Sequence, residues 1–264
     1  MNVKVPDNIY NWKPLLNKVL KDTEKAEKIH TFGYSVDRLF DDEIIDKLKE
    51  LYDKEHEVQS EKGGMFYSIY SKDVDYRIRV NKEISEILKP VLDKHFKGYK
   101  NIVNTFVMKA SGKQSEFYIH QDTTALDEEQ FSPLTVWIPL QDIHETNGAI
   151  TLIEKSHWFF SPFRSVSFSF PFNNILNTVR KYLKPVYLKK GEALVFDPRV
   201  IHNSEGNSSG EDRIAIICGI FPEEAKFTTC FREPSSDKNP IEFFEHEDDY
   251  PLKNVNFYYD CHAR

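Results

Sequence analysis

Four residues of this sequence have the types and spacing to hold a metal ion and an anion together: His120, Asp122, His202 and Arg213. The first two belong to His120-Gln121-Asp122, one of two His-x-Asp triplets, and chance alone supplies on the order of one in a chain this rich in His and Asp. Context must therefore separate them. The first leaves the strand-like run Phe117-Tyr118-Ile119, and alternate strand residues share a face, so an imidazole and a carboxylate would project together. His202 comes after the strand-like Ala193-Leu194-Val195-Phe196-Asp197, so an antiparallel return can bring it opposite the pair. Two imidazoles and one carboxylate on one side of an ion suit ferrous iron and leave its other positions open. The second triplet, His246-Glu247-Asp248, lies in an acidic patch without a strand pattern and reads as solvated surface.

Arg213 opens the apolar run Ile214-Ala215-Ile216-Ile217, where an inward charge is costly unless it meets an anion. A guanidinium grips a carboxylate through two parallel hydrogen bonds, and an iron-bound 2-oxo acid with a distal carboxylate would supply one. Ser204, two residues past His202, could add a further bond. The competing reading of Arg213 is a structural ion pair with Glu192 or Asp197. That of Ser204 is a turn cap.

The elements that must position these residues follow from periodicity. Ile44, Ile45, Leu48, Leu51 and Tyr52 form one helical face behind the Asp41-Asp42 cap, and Ile84, Ile87, Leu88, Val91 and Leu92 repeat it behind Asn81, with Pro90 expected to kink or end the second helix. From about Ile102 short β-branched and aromatic runs take over: 102–108, 116–121, 134–140, 149–153, 186–188, 193–196 and 213–221. Strands without intervening helices predict an antiparallel sandwich or barrel. An insert at 158–183 is dense in Phe, with a helical second half from 173 to 183. It reads either as an aromatic lid, with Phe163, Arg164 or Arg180 meeting the substrate, or as a loop packed on the N-terminal helices. His157 reads as structural and His144 as solvent-facing.

At this point the chain resembles the phytanoyl-CoA dioxygenase-like branch of the Fe(II)/2-oxoglutarate-dependent oxygenases. The likeness covers roughly residues 101–221, in ordered pieces: the His120 triplet, Val136-Trp137-Ile138-Pro139-Leu140, Asn147-Gly148-Ala149-Ile150, Glu154-Lys155-Ser156-His157, residues 190–196, His202-Asn203-Ser204, Asn207-Ser208 and Arg213. It implies a mainly β fold with helical additions, a cupin-like double-stranded β-helix (jelly roll) with the N-terminal helices packed on the outside of the larger sheet. It implies Fe(II) held by His120, Asp122 and His202, with 2-oxoglutarate as co-substrate on Arg213 and Ser204, and Gln121 and Trp137 lining its pocket. Dioxygen would be consumed, and succinate and carbon dioxide released. Relatives that halogenate carry a small residue in place of the carboxylate, so Asp122 favours hydroxylation or another oxidation over halogenation. The substrate expected is a small carboxylate-bearing metabolite or amino acid; the alternatives are acyl-thioester, carrier-bound or other secondary-metabolite substrates.

Two rival readings remain at the level of sequence: a redox-neutral cupin isomerase or zinc hydrolase, which leaves the Arg213 spacing unexplained, and a non-catalytic metal- and 2-oxoglutarate-binding module, against which the intact ligand set counts. The reading is one domain over 1–264: a helical scaffold to about 100, a jelly-roll core over about 101–222 and a C-terminal extension over 223–264. Composition bounds the rest. Forty per cent hydrophobic and 14% aromatic residues exclude disorder, and a net charge of −7 without a basic run speaks against nucleic acid. No run reaches the length of a membrane helix, no secretory leader is legible at Met1, and the three unpatterned cysteines suit a reducing compartment, so a cytoplasmic protein with a small-molecule partner is expected.

Overall fold

The run that begins at Arg213 forms a strand, Arg213–Pro222, paired antiparallel with Leu134–Pro139 on one side and Tyr99–Lys109 on the other. The computed structural model describes residues 13–56, 64–112, 115–159, 163–165, 167, 169–232 and 240–254. In chain order its strands are β1 (Tyr34–Arg38), β2 (Met65–Tyr67), β3 (Tyr99–Lys109), β4 (Phe117–His120), β5 (Leu134–Pro139), β6 (Ile150–Leu152), β7 (Lys184–Val186), β8 (Glu192–Phe196), β9 (His202–Ser204), β10 (Arg213–Pro222), β11 (Phe227–Phe231) and β12 (Glu242–His246). The helices are α1 (Lys13–Val19), α2 (Thr23–Phe32), α3 (Asp42–Glu55), α4 (Val74–His95), α5 (Leu176–Val179) and α6 (Tyr250–Lys253). A larger sheet runs β1-β8-β5-β10-β3-β2 and a smaller one β4-β9-β6-β7, with β11-β12 as a separate hairpin. Two antiparallel sheets of this kind, with helices at one side, make a jelly roll.

Period-two alternation divides the larger sheet. Phe106 and Met108 of β3, Val136 and Ile138 of β5, Val195 of β8 and Ile216 and Cys218 of β10 share one apolar cluster with Ile45 and Leu48 of α3 and Ile84 and Leu88 of α4. The fully buried Ile45, Leu48, Ile84 and Leu88 each contribute about 2 kcal/mol of burial. The alternate residues turn the other way: Val103, Thr105 and Val107 of β3, Thr135 and Trp137 of β5, Phe196 of β8 and Arg213, Ile217 and Gly219 of β10 line one cavity. The sheet thus separates a helix-packed face from a chamber.

The helix starts depend on aspartates. The Asp41 carboxylate accepts from the Ile44 N–H at 3.0 Å, and Asp73 accepts from Asp75 and Tyr76. α4 begins at Val74, earlier than periodicity suggested, and runs on past Pro90 to His95. Packing against β3 and α3 outweighs the single backbone bond that proline removes. The strands β1, β2, β9, β11 and β12 have no counterpart among the expected runs; β12 also takes in His246, which stacks on Tyr250 and bonds Thr229. Residues 173–182 are helical in short pieces, as the sequence indicated.

Candidate active site

β4 and β9 are paired so that His120 stands directly opposite His202, their ring centroids 4.2 Å apart. Each imidazole is oriented by its own strand: His120 Nδ1 donates to the Tyr118 carbonyl and His202 Nδ1 to the Val200 carbonyl, both at 2.9 Å. That tautomer leaves Nε2 with its lone pair free on both rings. Asp122 Oδ1 lies 3.4 Å from His120 Nε2 and 3.7 Å from His202 Nε2, and the three potential ligand atoms all fall within 4.8 Å of one another.

The carboxylate is not presented by strand alternation, as expected, because β4 ends at His120. A loop places it instead. The Asp122 N–H donates to the Pro198 carbonyl at 2.9 Å, and Arg164 Nε donates to the Asp122 carbonyl at 2.6 Å. The Pro198 turn is itself held by the buried Asp197–Arg199 ion pair. Burial, with His120 next, pushes His202 down to about 4, so it is neutral at pH 7. Burial pushes the Asp122 carboxyl up, but the two imidazoles outweigh it and hold it below its ordinary value. A neutral His202 imidazole and an ionised Asp122 carboxylate are in the protonation states a divalent metal requires.

Arg213 is 1% exposed, and its Nε and Nη1 are buried without a hydrogen-bond partner. Neither expected structural partner reaches it: Asp197 pairs with Arg199, and Glu192 accepts from the Lys189 N–H. Its guanidinium lies over Trp137, 5.2 Å from the ring centroid. Burial pushes it down to about 10, with the Tyr67 phenol opposing, so it remains a cation at pH 7. A buried cation lacking an anion, in the same cavity as three metal-ligand side chains, fits an anionic co-substrate that bridges the two.

The cavity, about 310 Å³, also takes in Ser204, Gln121 and Trp137. Gln121 Nε2 donates to the Arg199 carbonyl at 2.5 Å, while its Oε1 is buried and unpartnered. Lys109, fully buried beside Arg213 in the β3–β10 register, donates to the carbonyls of Ser115, Ser204 and Glu205 and so pins the end of β9.

The residues expected to meet a substrate are elsewhere. Arg164 is buried and forked onto Glu128, with Nη1 3.0 Å from Oε2, so its charge is already neutralised. Arg180 forms an exposed ion pair with Glu116, and Phe163 packs edge-on against Phe243. None of the three lines the cavity, so a substrate carboxylate loses the arginines on which it was inferred. Nor does the insert pack as either reading had it throughout. Phe170, Phe172 and Leu176 cover Ile119 and Ile201 on the outer face of the smaller sheet, while Trp158 meets His30 of α2; residues 160–162, 166 and 168 lie outside those described. His157 is buried and bonds the His30 carbonyl, and His144 is exposed, both as expected. Sequence reasoning missed Tyr67, Gly219, Phe221 and Phe227 in the cavity wall, and only the alternation of β10 could have flagged Gly219.

The fold and this side-chain set define a class, and comparison with known proteins places the chain in it. The chain belongs to the phytanoyl-CoA dioxygenase (PhyH) family, whose model matches residues 24–215. It is 26% identical over 147 residues to phytanoyl-CoA dioxygenase domain-containing protein 1 of Danio rerio, a match covering 53% of this chain and 47% of that protein, so the chain spans about half its length. Among solved structures it is similar in fold to the non-haem α-ketoglutarate-dependent carbocyclase SnoK from nogalamycin biosynthesis (17% identity, TM-score 0.57, 86% of this chain and 95% of that one). HygX from Streptomyces hygroscopicus, solved with nickel, 2-oxoglutarate and hygromycin B, is also similar (14%, 0.54, 76% and 87%). The epimerase SnoN, solved with Fe3+, α-ketoglutarate and nogalamycin RO, gives 17% and 0.53 over 77% and 84%. No helix among the described residues is long and apolar enough to cross a membrane.

Proposed function

We propose that this chain is an Fe(II)- and 2-oxoglutarate-dependent dioxygenase that hydroxylates a C–H bond of a small molecule. The observation that carries the reading is Arg213, a buried guanidinium without an anion, in one cavity with the His120, Asp122 and His202 ligand atoms. Those three side chains would hold iron, and family membership supports the choice of co-substrate. With iron, 2-oxoglutarate and dioxygen bound, such a centre supplies oxidative decarboxylation to succinate and carbon dioxide, coupled to oxidation of a substrate C–H bond.

This chain's residues bind and orient. Arg213 and the Ser204 hydroxyl anchor the distal carboxylate, and Trp137 holds the guanidinium plane from one side. The Tyr118 and Val200 carbonyls fix the two imidazoles, and Arg164 with the Pro198 turn fixes Asp122. No side-chain base or nucleophile is needed. The test is to supply Fe(II), 2-oxoglutarate, a panel of small-molecule C–H substrates and 18O2, and to follow succinate and the mass of the oxidised substrate. One labelled oxygen per product supports hydroxylation; an unlabelled product, desaturated, cyclised or epimerised, counts against the hydroxylase part and leaves the oxygenase class standing.

A further inference from the structure

Charge in the cavity is confined to one end. Along β10 the residues facing the cavity are Arg213, Ile217, Gly219 and Phe221, and the six steps from Arg213 to Gly219 span about 20 Å at strand rise. Among the described residues, Arg213 and the His120, Asp122 and His202 side chains are the charged or ionisable acid–base groups of the lining, apart from tyrosine phenols. Beyond the proposed metal centre the wall is Ile102, Val103, Ala125, Gly219, Phe221 and Phe227, with no ionisable side chain among them. Phe227 belongs to β11, outside the jelly roll, and its ring stacks near-parallel on Phe221 at 6.4 Å. It is braced from behind by Tyr250 and His246. The C-terminal hairpin thus closes the far end of the chamber.

Gly219 decides how deep that end is. It occurs at the register shift of β10 on β3, and a Cβ placed there meets nothing nearer than 3.7 Å, the nearest atoms being the Phe221 ring and the Val103 backbone. Its φ is not in the left-handed region, so the backbone does not demand glycine. The missing side chain is therefore space in the cavity and not a requirement of the turn. Among the described residues a charged group in this end would find no partner, because Arg164 is already neutralised by Glu128 and Arg213 faces the other end.

Resting on the oxygenase reading for the same site, we propose that the primary substrate is an uncharged compound whose apolar end occupies this distal chamber, with Gly219 setting its depth and Phe227 its end wall. The carboxylate that the sequence suggested belongs to the co-substrate alone. Binding follows from area removed from water against preformed apolar walls, so it discriminates by charge and by length.

The test uses decan-1-ol, decanoate and decylammonium as matched probes, titrated calorimetrically into the full chain loaded with Mn(II) and 2-oxoglutarate. Decan-1-ol is expected to bind at least about tenfold more tightly than either ion. Gly219→Ile is expected to weaken it by about tenfold or more while 2-oxoglutarate affinity stays within about twofold. Phe227→Leu, milder in packing terms, shifts the preferred alcohol to a longer chain. Decanoate binding as tightly as the alcohol overturns the proposal, as does undiminished decan-1-ol binding by a folded Gly219→Ile. If Gly219→Ile does not fold, an unchanged length preference in Phe227→Leu overturns it. Absence of Mn(II)-dependent 2-oxoglutarate binding strikes at the oxygenase reading instead, and the alcohol series on metal-free protein still decides the chamber.

Discussion

Replacing Arg213 with methionine should make the metal-free protein more stable and unable to bind 2-oxoglutarate. Methionine keeps the unbranched length of the side chain and removes the charge. Burial pushes this guanidinium from 12.5 down to about 10, a shift that corresponds to about 3 kcal/mol held against the charged form. Nε and Nη1 are unpartnered, so no protein hydrogen bond from them is lost on substitution. For a chain of this size, about 3 kcal/mol raises the melting temperature by roughly 6–12 °C, less whatever contact with Trp137 is lost. Removing one partner of a desolvated carboxylate–guanidinium pair costs about 3–5 kcal/mol, so 2-oxoglutarate affinity should fall by at least a hundredfold. Thermal melts of metal-free protein, followed by melts with Mn(II) and increasing 2-oxoglutarate, read both effects. Wild type should gain stability with co-substrate and the variant should not. A variant that is less stable when metal-free, yet still stabilised by 2-oxoglutarate, would make Arg213 a structural residue and refute the reasoning.

Other perturbations follow from the same contacts. Arg164→Met leaves Glu128 buried without its cation and removes a bond to the Asp122 carbonyl; it should destabilise by about 3–5 kcal/mol in urea and weaken Mn(II) binding. Adding Glu128→Leu should recover most of the stability but not the metal affinity. His202 titrates near 4 in the folded chain and near 6.5 when unfolded, so the unfolded state binds the extra proton between those values. The stability it supports is whole above pH 6.5 and is lost as pH falls toward 4. Metal-free protein should therefore be about 2 kcal/mol less stable at pH 5 than at pH 7.5 by this group alone, and His202→Asn should remove that part of the slope. Gly33→Ala, at φ +90 with a Cβ 2.5 Å from the Val200 side chain, should cost about 2 kcal/mol or more in a melt, because the α2 cap and the loop before His202 meet there.

The candidate metal-ligand cluster, the buried arginine beside it and most core strands were legible because each carries a local signal: a triplet leaving a strand, a charge at the head of an apolar run, alternation of β-branched residues. The mode of support for Asp122 was not legible, because it depends on a backbone bond to Pro198 and on an arginine 42 residues away in the insert. Arg164 and Arg180 misled for a related reason. An arginine near an aromatic run is an anion site only if no carboxylate folds onto it, and Glu128 and Glu116 do. The small strands β1 and β2 carry only weak patterns and are fixed by pairing with β8 and β3. Phe227 reaches the cavity only through the hairpin, a long-range arrangement that periodicity does not encode.

The most direct test of the account is an anaerobic titration of the protein with Fe(II) and 2-oxoglutarate, followed by visible absorption. Wild type is expected to give a weak charge-transfer band that requires both additions, saturates at one equivalent of each, and is absent in His202→Ala. A wild-type protein that gives no band, or a His202→Ala variant that keeps it, would contradict the assignment of His120, Asp122, His202 and Arg213 to one metal and co-substrate site.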